Sequence, residues 1–271
     1  MIIGKFQGQL GNELFIYTFL YYSSKETNSC FAVDSQNMSL PTYFELNSLN
    51  WKLINKIKLT LYYRFLKKIR KFNSIIDYQT ELIPAQNNTY YIGFFQSYQY
   101  FEKYKTQLLK HFAIRSQYKF EFENTFKAFN EDYVAIHYRG GDYHNFGNDE
   151  LGGKDLVLPD SFYEKAIAFI QADSQYSSLK IYVITNSPDE VKLKNWAKNA
   201  IILSNNYIVD FQILQNAKAL IISNSSFAWW AANLNPKNPL VLVPNFWLGF
   251  KIKKEFPYSI INPKWNIITF N

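Results

Sequence analysis

The sequence predicts an α/β protein built on a parallel sheet, and three observations point there. Between residues 133 and 244, short apolar runs alternate with helical patterns of about ten residues, as in strands joined by crossover helices. Runs such as Tyr133–Ile136 are continuously apolar, as expected of strands buried on both faces. Hydrophobic residues make up 48% of the 271-residue chain, ample for a core and incompatible with global disorder.

In chain order, Ile2–Phe6 reads as a strand, Gln7–Gly11 as a glycine loop, and Asn12 to about Tyr22 as a helix capped by Asn12. The loop is too short for the G-x-G-x-x-G fingerprint and reads as a tight strand-to-helix turn, with the helix amides facing it. Between Trp51 and Ile76 lie Lys52, Lys56, Lys58, Arg64, Lys67, Lys68, Arg70 and Lys71, with no acid among them. These eight charges exceed the surplus of +7 for the whole chain. Leu53, Ile57, Leu61, Phe65 and Ile69 recur at steps of four, which predicts an amphipathic helix. Two uses fit it: an apolar stripe packed on its own domain, or peripheral contact of residues 51–72 with an anionic membrane surface. Nucleic acid is not expected as a partner, because no recognition motif accompanies the charge.

The second half is more regular. Strand Tyr133–His137 leads into a polar loop reaching Pro159, then a helix from Asp160 or Ser161 with Ser161 and Glu164 at capping-box spacing. Strand Leu179–Ile184 precedes a helix opened by Pro188, with Asp189 and Glu190 in its first turn. Strand Ala200–Leu203, helix Asp210–Ala217, strand Leu220–Ser223, a helix from Ser225 or Ser226 to Asn233 and strand Leu240–Pro244 follow. The change in texture near residues 125–132 predicts two domains, 1–130 and 131–271, with a tail that packs back on the first.

Three strand-to-loop junctions carry chemistry. After the first strand of the second half come His137, Arg139, Gly140, Gly141 and Asp142; the second junction carries Asn186; the third is Ser223-Asn224-Ser225-Ser226. Ligands of open α/β sheets bind beyond the carboxyl ends of the strands. Arg139 offers a planar fork for phosphate oxygens, and the helix opening at Ser225 or Ser226 offers free amides and a positive dipole end. Taken together they fit a nucleotide diphosphate. A single cysteine, Cys30, excludes an intrachain disulfide and a cysteine-based metal site. His137 and His144 flank Asp142, but three histidines in all make no metal cluster, and no metal is expected. No secretory leader precedes the first strand, and no window holds the roughly 18 apolar residues of a membrane span, so a cytoplasmic protein is expected, peripheral at the inner membrane face at most.

Four segments, in order, resemble glycosyltransferase family 11, the bacterial-type α-1,2-fucosyltransferases: Gly8-Gln9-Leu10-Gly11-Asn12, Ile92–Phe101, His137–Asp142 and Ile222–Asn235. The resemblance implies a GT-B-like α/β fold, two Rossmann-type domains with a cleft between them. It also implies inverting, metal-independent transfer of L-fucose from GDP-fucose to the 2-hydroxyl of a galactosyl residue, with no cofactor beyond the donor. Carried over by motif, Arg139 pairs with the donor phosphates, and His137 contacts the nucleoside. Asp210 reads the guanine edge, Ser225, Ser226 and Phe227 hold the diphosphate, and Asn12 faces the acceptor. Gly140 stands where the family has a second arginine, and Glu13 where it has glutamine. Asp142 and Glu13 are the two candidate bases for the acceptor hydroxyl, and Asp142 has the alternative role of holding Arg139. The competing readings are a related inverting transferase with another nucleotide sugar, and a non-catalytic glycan-binding protein. Acceptor choice is expected to depend on Ser35–Ser48 and Asn73–Thr89, which carry no readable motif.

Overall fold

The computed structural model describes residues 1–35, 37–46, 50–69 and 72–270, with Ile69 by its backbone alone. It forms two compact units, Met1–Arg115 with Pro257–Ile260, and Ser116–Phe256 with the chain from Ile261 onward. The division falls ahead of the expected 130/131 boundary. Helix Ser116–Thr125 belongs to the second unit because Gln212 Nε2 donates to the Tyr118 carbonyl at 2.8 Å, while Phe126 packs edge-on against Tyr133 at 5.1 Å. Only Pro257–Ile260 of the tail joins the first unit.

In the first unit, β1 (Ile2–Lys5), β2 (Phe31–Asp34), β3 (Asn73–Ile76) and β4 (Thr89–Ile92) form a parallel sheet in the order β2-β1-β4-β3. The sequence reading left β2, β3 and β4 unassigned, since four residues are too few to show a period. Helix Leu10–Glu26 is buried nearly all round, through Leu14, Phe15, Ile16, Phe19 and Leu20. Phe19 stacks on Phe95 at 4.0 Å and meets Tyr91 edge-on at 4.8 Å. Any side chain at Gly4 would run into Leu20, which is how the helix lies so close to β1. The helix starts at Leu10 with Gln9 at its cap, so Asn12 sits inside the first turn and is not the cap the sequence suggested.

In the second unit, β5 (Tyr133–Tyr138), β6 (Lys180–Thr185), β7 (Ile201–Leu203), β8 (Ala219–Ile221), β9 (Leu240–Pro244) and β10 (Asn266–Ile268) are also parallel. Their order is β10-β9-β8-β5-β6-β7, which counted from β5 is the Rossmann order 3-2-1-4-5-6. All six residues of β5 are buried, as its unbroken apolar run required. The chain reverses direction across the sheet between β5 and β8, and at such a switch point the loops after the two strands border a ligand crevice. Helix Asp160–Gln171 follows Pro159, so Ser161 lies within the first turn and the expected capping box does not form. The Asp160 carboxylate instead accepts from Trp196 Nε1 at 3.2 Å and Lys194 Nζ at 3.0 Å.

Candidate functional site

The loop after β5 carries the guanidinium. Arg139 Nη2 donates to Asp142 Oδ2 at 2.8 Å, and the guanidinium lies 5.3 Å from the centre of the Tyr143 ring. The Arg139 side chain is only 18% exposed, and its buried Nε has no hydrogen-bond partner among the described residues. A buried charged donor left unpartnered is costly, so an arriving anion would relieve an existing deficit. Asp142, more than half exposed, holds the guanidinium against the loop.

From β8 comes the other wall. His137 Nδ1 and Ser223 Oγ are 2.7 Å apart, linking β5 to the loop after β8. Burial, helped by the nearby Arg139 charge, pushes the His137 pKa down to about 3, so the ring is neutral at working pH. That ring lies 5.8 Å from Phe227, which packs edge-on against Phe211 at 5.3 Å. Tyr143 Oη donates to the Asn224 carbonyl at 3.3 Å, and Asn224 Nδ2 donates to Leu156 O at 3.0 Å. Ser225 occupies the cap of helix Ser226–Asn233 without a side-chain bond to the first turn. The helix end there suits a negative group. Asp210, next to Phe211, is largely buried; burial raises its pKa against the lowering effect of its bonds from Asn205 Nδ2 (2.8 Å) and the Asn205 amide.

Helix Pro188–Lys192, which follows β6, fastens this loop. Glu190 accepts from the Gly141 amide at 3.1 Å, Tyr138 Oη at 3.1 Å and His144 Nε2 at 3.2 Å, while His144 Nδ1 meets Asp155 at 3.2 Å. Burial pushes the Glu190 pKa up, but these donors outweigh it and the net shift is downward. The bonds to Glu190 and Asp155 raise the pKa of His144. Gly141 has φ +57, and a Cβ there would meet Asn186 Nδ2 and Ser187 Oγ at 3.1 Å, so the loops after β5 and β6 abut at this glycine. His137 and His144 therefore have separate partners and do not converge. No group of three His, Cys, Asp or Glu suited to a metal occurs among the described residues. The sequence reading missed Glu190 and Tyr143; Glu190 looked like a helix-opening acid, and only the pairing of β5 with β6 brings it under the loop. A cavity of about 530 Å³ at the β10 edge, lined by Phe246, Lys254 and Ile267 among others, is distinct from this loop cluster.

In the first unit the loops after the neighbouring strands β1 and β4 also meet beyond their carboxyl ends. Gln96 Nε2 donates to Asn12 Oδ1 at 2.8 Å there, joining two of the four motif segments. Gly8 has φ +77 and lies directly against Asn12, where a side chain would collide. Asp77 buttresses the loop after β4 by accepting from the Phe95 amide at 2.6 Å. Glu13 departs from the expectation of a catalytic base. It is 3% exposed, and its two oxygens accept from the Ser39 amide at 3.1 Å and the Leu40 amide at 2.6 Å, at the start of the short helix Leu40–Tyr43. Burial raises its pKa against those two bonds. With both oxygens bonded to backbone amides, the carboxylate anchors the start of this helix, a structural role.

Residues 5–269 match the family Glycosyl transferase family 11. An α-1,2-colitosyltransferase of Escherichia coli is 27% identical over 277 aligned residues, covering 91% of this chain and 92% of that protein. The O-antigen biosynthesis glycosyltransferase WbnK of Escherichia coli is 32% identical over 138 residues, 46% of this chain and 42% of its own length. Among solved structures, NodZ α-1,6-fucosyltransferase soaked with GDP-fucose superposes with a TM-score of 0.55 at 13% identity, covering 87% of this chain and 92% of that one. POFUT1 in complex with GDP gives a TM-score of 0.54 at 10% identity, covering 89% and 97%. At such identities the likeness shows the fold, a GT-B-like pair of Rossmann-type units.

Proposed function

The chain belongs to glycosyltransferase family 11, and we propose that it catalyses inverting, metal-independent transfer of L-fucose from GDP-fucose to the 2-hydroxyl of a galactosyl residue in a surface glycan. The observation that carries this reading is the under-satisfied Arg139 guanidinium in the loop beside the uncapped start of helix Ser226–Asn233, at the Rossmann switch point of the second unit. The GDP and GDP-fucose in the two fucosyltransferase structures support a guanosine diphosphate donor. The O-antigen role of one relative supports a glycan acceptor.

As the bond from the fucosyl anomeric carbon to the diphosphate oxygen lengthens, positive charge grows on the sugar and negative charge on the departing GDP. Fixed donors aimed at that oxygen stabilise the transition state more than the ground state. Arg139 and the first-turn amides of Ser226–Asn233 fill this role, with Asp142, Tyr143 and Glu190 fixing the guanidinium and its loop. Neutral His137, packed on Phe227, gives the nucleoside an uncharged wall. Asn12, held by Gln96, is the acceptor-side group of the first unit. The acceptor oxygen attacks the face opposite GDP as the bond to the diphosphate breaks, and its proton passes late to solvent water, because a strongly dissociative transition state asks little of a base.

A second reading has a specific observation behind it: the α-1,2-colitosyltransferase likeness spans nearly both chains, which favours a donor sugar other than fucose. One experiment separates the two. The protein is incubated with GDP-fucose, GDP-colitose and GDP-mannose, each with a panel of β-galactosyl acceptors, and products are read by mass and linkage. Exclusive α-1,2-fucosyl product supports the first reading, and exclusive colitosyl product replaces it with the second. Absence of both, together with no GDP binding by calorimetry, removes the transferase assignment in favour of a non-catalytic glycan-binding protein.

A further inference from the structure

The basic stretch after β2 is helical, but its apolar stripe points the wrong way for a core. It runs as an α-helix from Trp51 to Leu61, a π-helical segment from Tyr62 to Leu66 and a last turn Lys67–Ile69. What fastens it to the first unit is a different face. The Asn55 amide brackets the free edge of β2, accepting from the Val33 amide at 2.7 Å and donating to its carbonyl at 2.8 Å. Lys58 Nζ reaches the Phe31 carbonyl at 3.1 Å, and Tyr62 is buried with Met1, Ile3 and Ala32, flanked by Leu59 and Leu66. The helix thereby covers an exposed sheet edge.

The stripe read from the sequence lies outside. Leu53, Ile57, Leu61 and Phe65 are 57%, 52%, 48% and 58% exposed, which corrects the expectation that these positions pack on the domain. In an unbroken α-helix a step of four residues drifts by about 40°, so four such positions would spiral off the line. The wider π turn rotates less per residue and swings Phe65 back toward the others. Exposed Lys52, Lys56, Arg64, Lys67 and Lys68 border this row; Arg70 and Lys71 lie outside the described residues, as does the Ile69 side chain. No acid occurs from Leu46 to Ile76.

We propose that this face seats the protein on an anionic bilayer surface, with Leu53, Ile57, Leu61 and Phe65 entering the boundary between headgroups and acyl chains, and the lysines reaching for lipid phosphates. An apolar row on a segment that carries cations and no acid has the composition of an interfacial helix, and the neighbouring Asp34 carboxylate is bonded by Tyr63 and Tyr90. The same charge argues against a second copy of this chain as the occupant, since two such faces would bring their cations together. No helix among the described residues is long and apolar enough to cross a membrane, so the contact is peripheral. The proposal stands apart from the transferase reading and uses none of its residues.

The test is co-sedimentation of the full chain with vesicles of phosphatidylcholine alone or with one-third phosphatidylglycerol. Binding is expected only to the anionic vesicles and falls as salt is raised. Ile57→Ser with Phe65→Ser weakens it at least about tenfold by exposing polar groups to the lipid. Lys52→Gln with Lys56→Gln and Arg64→Gln weakens it about a hundredfold, at roughly fivefold per charge near an anionic surface. All these positions are exposed, and unchanged near-ultraviolet circular dichroism verifies folding. Equal binding to both vesicle types, no binding to either, or unaltered binding of the Ile57/Phe65 variant overturns the proposal. So does a dimer that this variant dissolves while vesicles bind nothing.

Discussion

His137 makes the clearest quantitative demand on the site's environment. In the folded chain burial and Arg139 hold its pKa at about 3, against an ordinary value of 6.5. The unfolded chain therefore takes up a proton below pH 6.5 that the folded chain refuses until near pH 3, so stability falls as pH falls through that window. At pH 5 the unfolded state is favoured by about 2 kcal/mol through this one group, and nothing is lost at pH 7.5. Substituting His137→Gln removes the proton site while leaving an amide to pair with Ser223 Oγ. Urea unfolding followed by tryptophan fluorescence is the assay, and five of the six tryptophans (Trp196, Trp229, Trp230, Trp247, Trp265) report on the second unit. Whatever the variant costs outright cancels when each protein is compared with itself at the two pH values. The wild type should lose about 2 kcal/mol more than the variant between pH 7.5 and pH 5. Identical losses would mean that His137 titrates normally, and the account of a dry, cation-flanked ring at the switch point fails with it.

The remaining predictions bear on the transition state, the rejected base and the loop fastening. Arg139→Ala should lower kcat/KM about a hundredfold or more, the size of a lost transition-state contact, with Arg139→Lys recovering part of it; near-normal turnover of the alanine variant in a donor-consumption assay refutes the assignment. Glu13→Ala should destabilise by about 2–4 kcal/mol by stranding the Ser39 and Leu40 amides, while Glu13→Gln keeps kcat within a few-fold; a kcat loss of about a hundredfold in a folded glutamine variant restores Glu13 as the base. The His144–Glu190 contact should hold the loop only within a pH window. The raised His144 pKa means its contribution is complete below pH 6.5 and is lost as pH climbs through the folded value; the lowered Glu190 pKa means its share is present above pH 4.5 and is lost on acidification. Hydrogen exchange at the Gly141 amide should quicken in the wild type as pH climbs through the folded His144 value, and be fast and far less pH-sensitive, once the intrinsic rate is removed, in Glu190→Ala.

The second unit was legible in the sequence because its central strands are buried: Tyr133–Ile136 and Leu240–Pro244 read as unbroken apolar runs, and crossover helices separate the strands at regular spacing, whereas Asn266–Ile268, exposed at its first two residues, gave no such run. In the first unit the opening strand, the helix after it and the basic helix were legible, but the other three strands were not, because their signal lies in long-range pairing. Thr89–Ile92 becomes a central strand only beside Ile2–Gly4, and Asn73–Ile76 only beside Thr89–Ile92. The basic helix shows how periodicity misleads when one face is anchored by polar groups. Asn55 and Lys58 grip the β2 edge, so the apolar positions that a moment analysis assigns inward end up outside. In the site, Arg139, His137 and the Ser225–Ser226 turn were readable from composition and position, since switch-point loops follow buried strands. The bonds of Glu13 to two backbone amides were not legible, because a carboxylate in a motif looks the same whether it meets substrate or main chain.

The Gly140 departure from the family's second arginine has a local cause. Its backbone is not left-handed, with φ −104, so glycine is not needed for conformation. What excludes a side chain is contact: a Cβ would collide with Glu190 Oε2 and crowd the Tyr138 ring at 2.9 Å. Glu190 in turn holds the Gly141 amide, Tyr138 and His144. An arginine at 140 would have to displace that carboxylate and free the loop that carries Arg139. Glycine at 140 is thus compatible with the fastened loop, and a bulkier residue there is not. On the proposed reading, Arg139 is already partly neutralised by Asp142, so more of the stabilisation of a departing diphosphate would fall to the helix-end amides at Ser226, where the charge is fixed by backbone geometry and independent of any side-chain pKa.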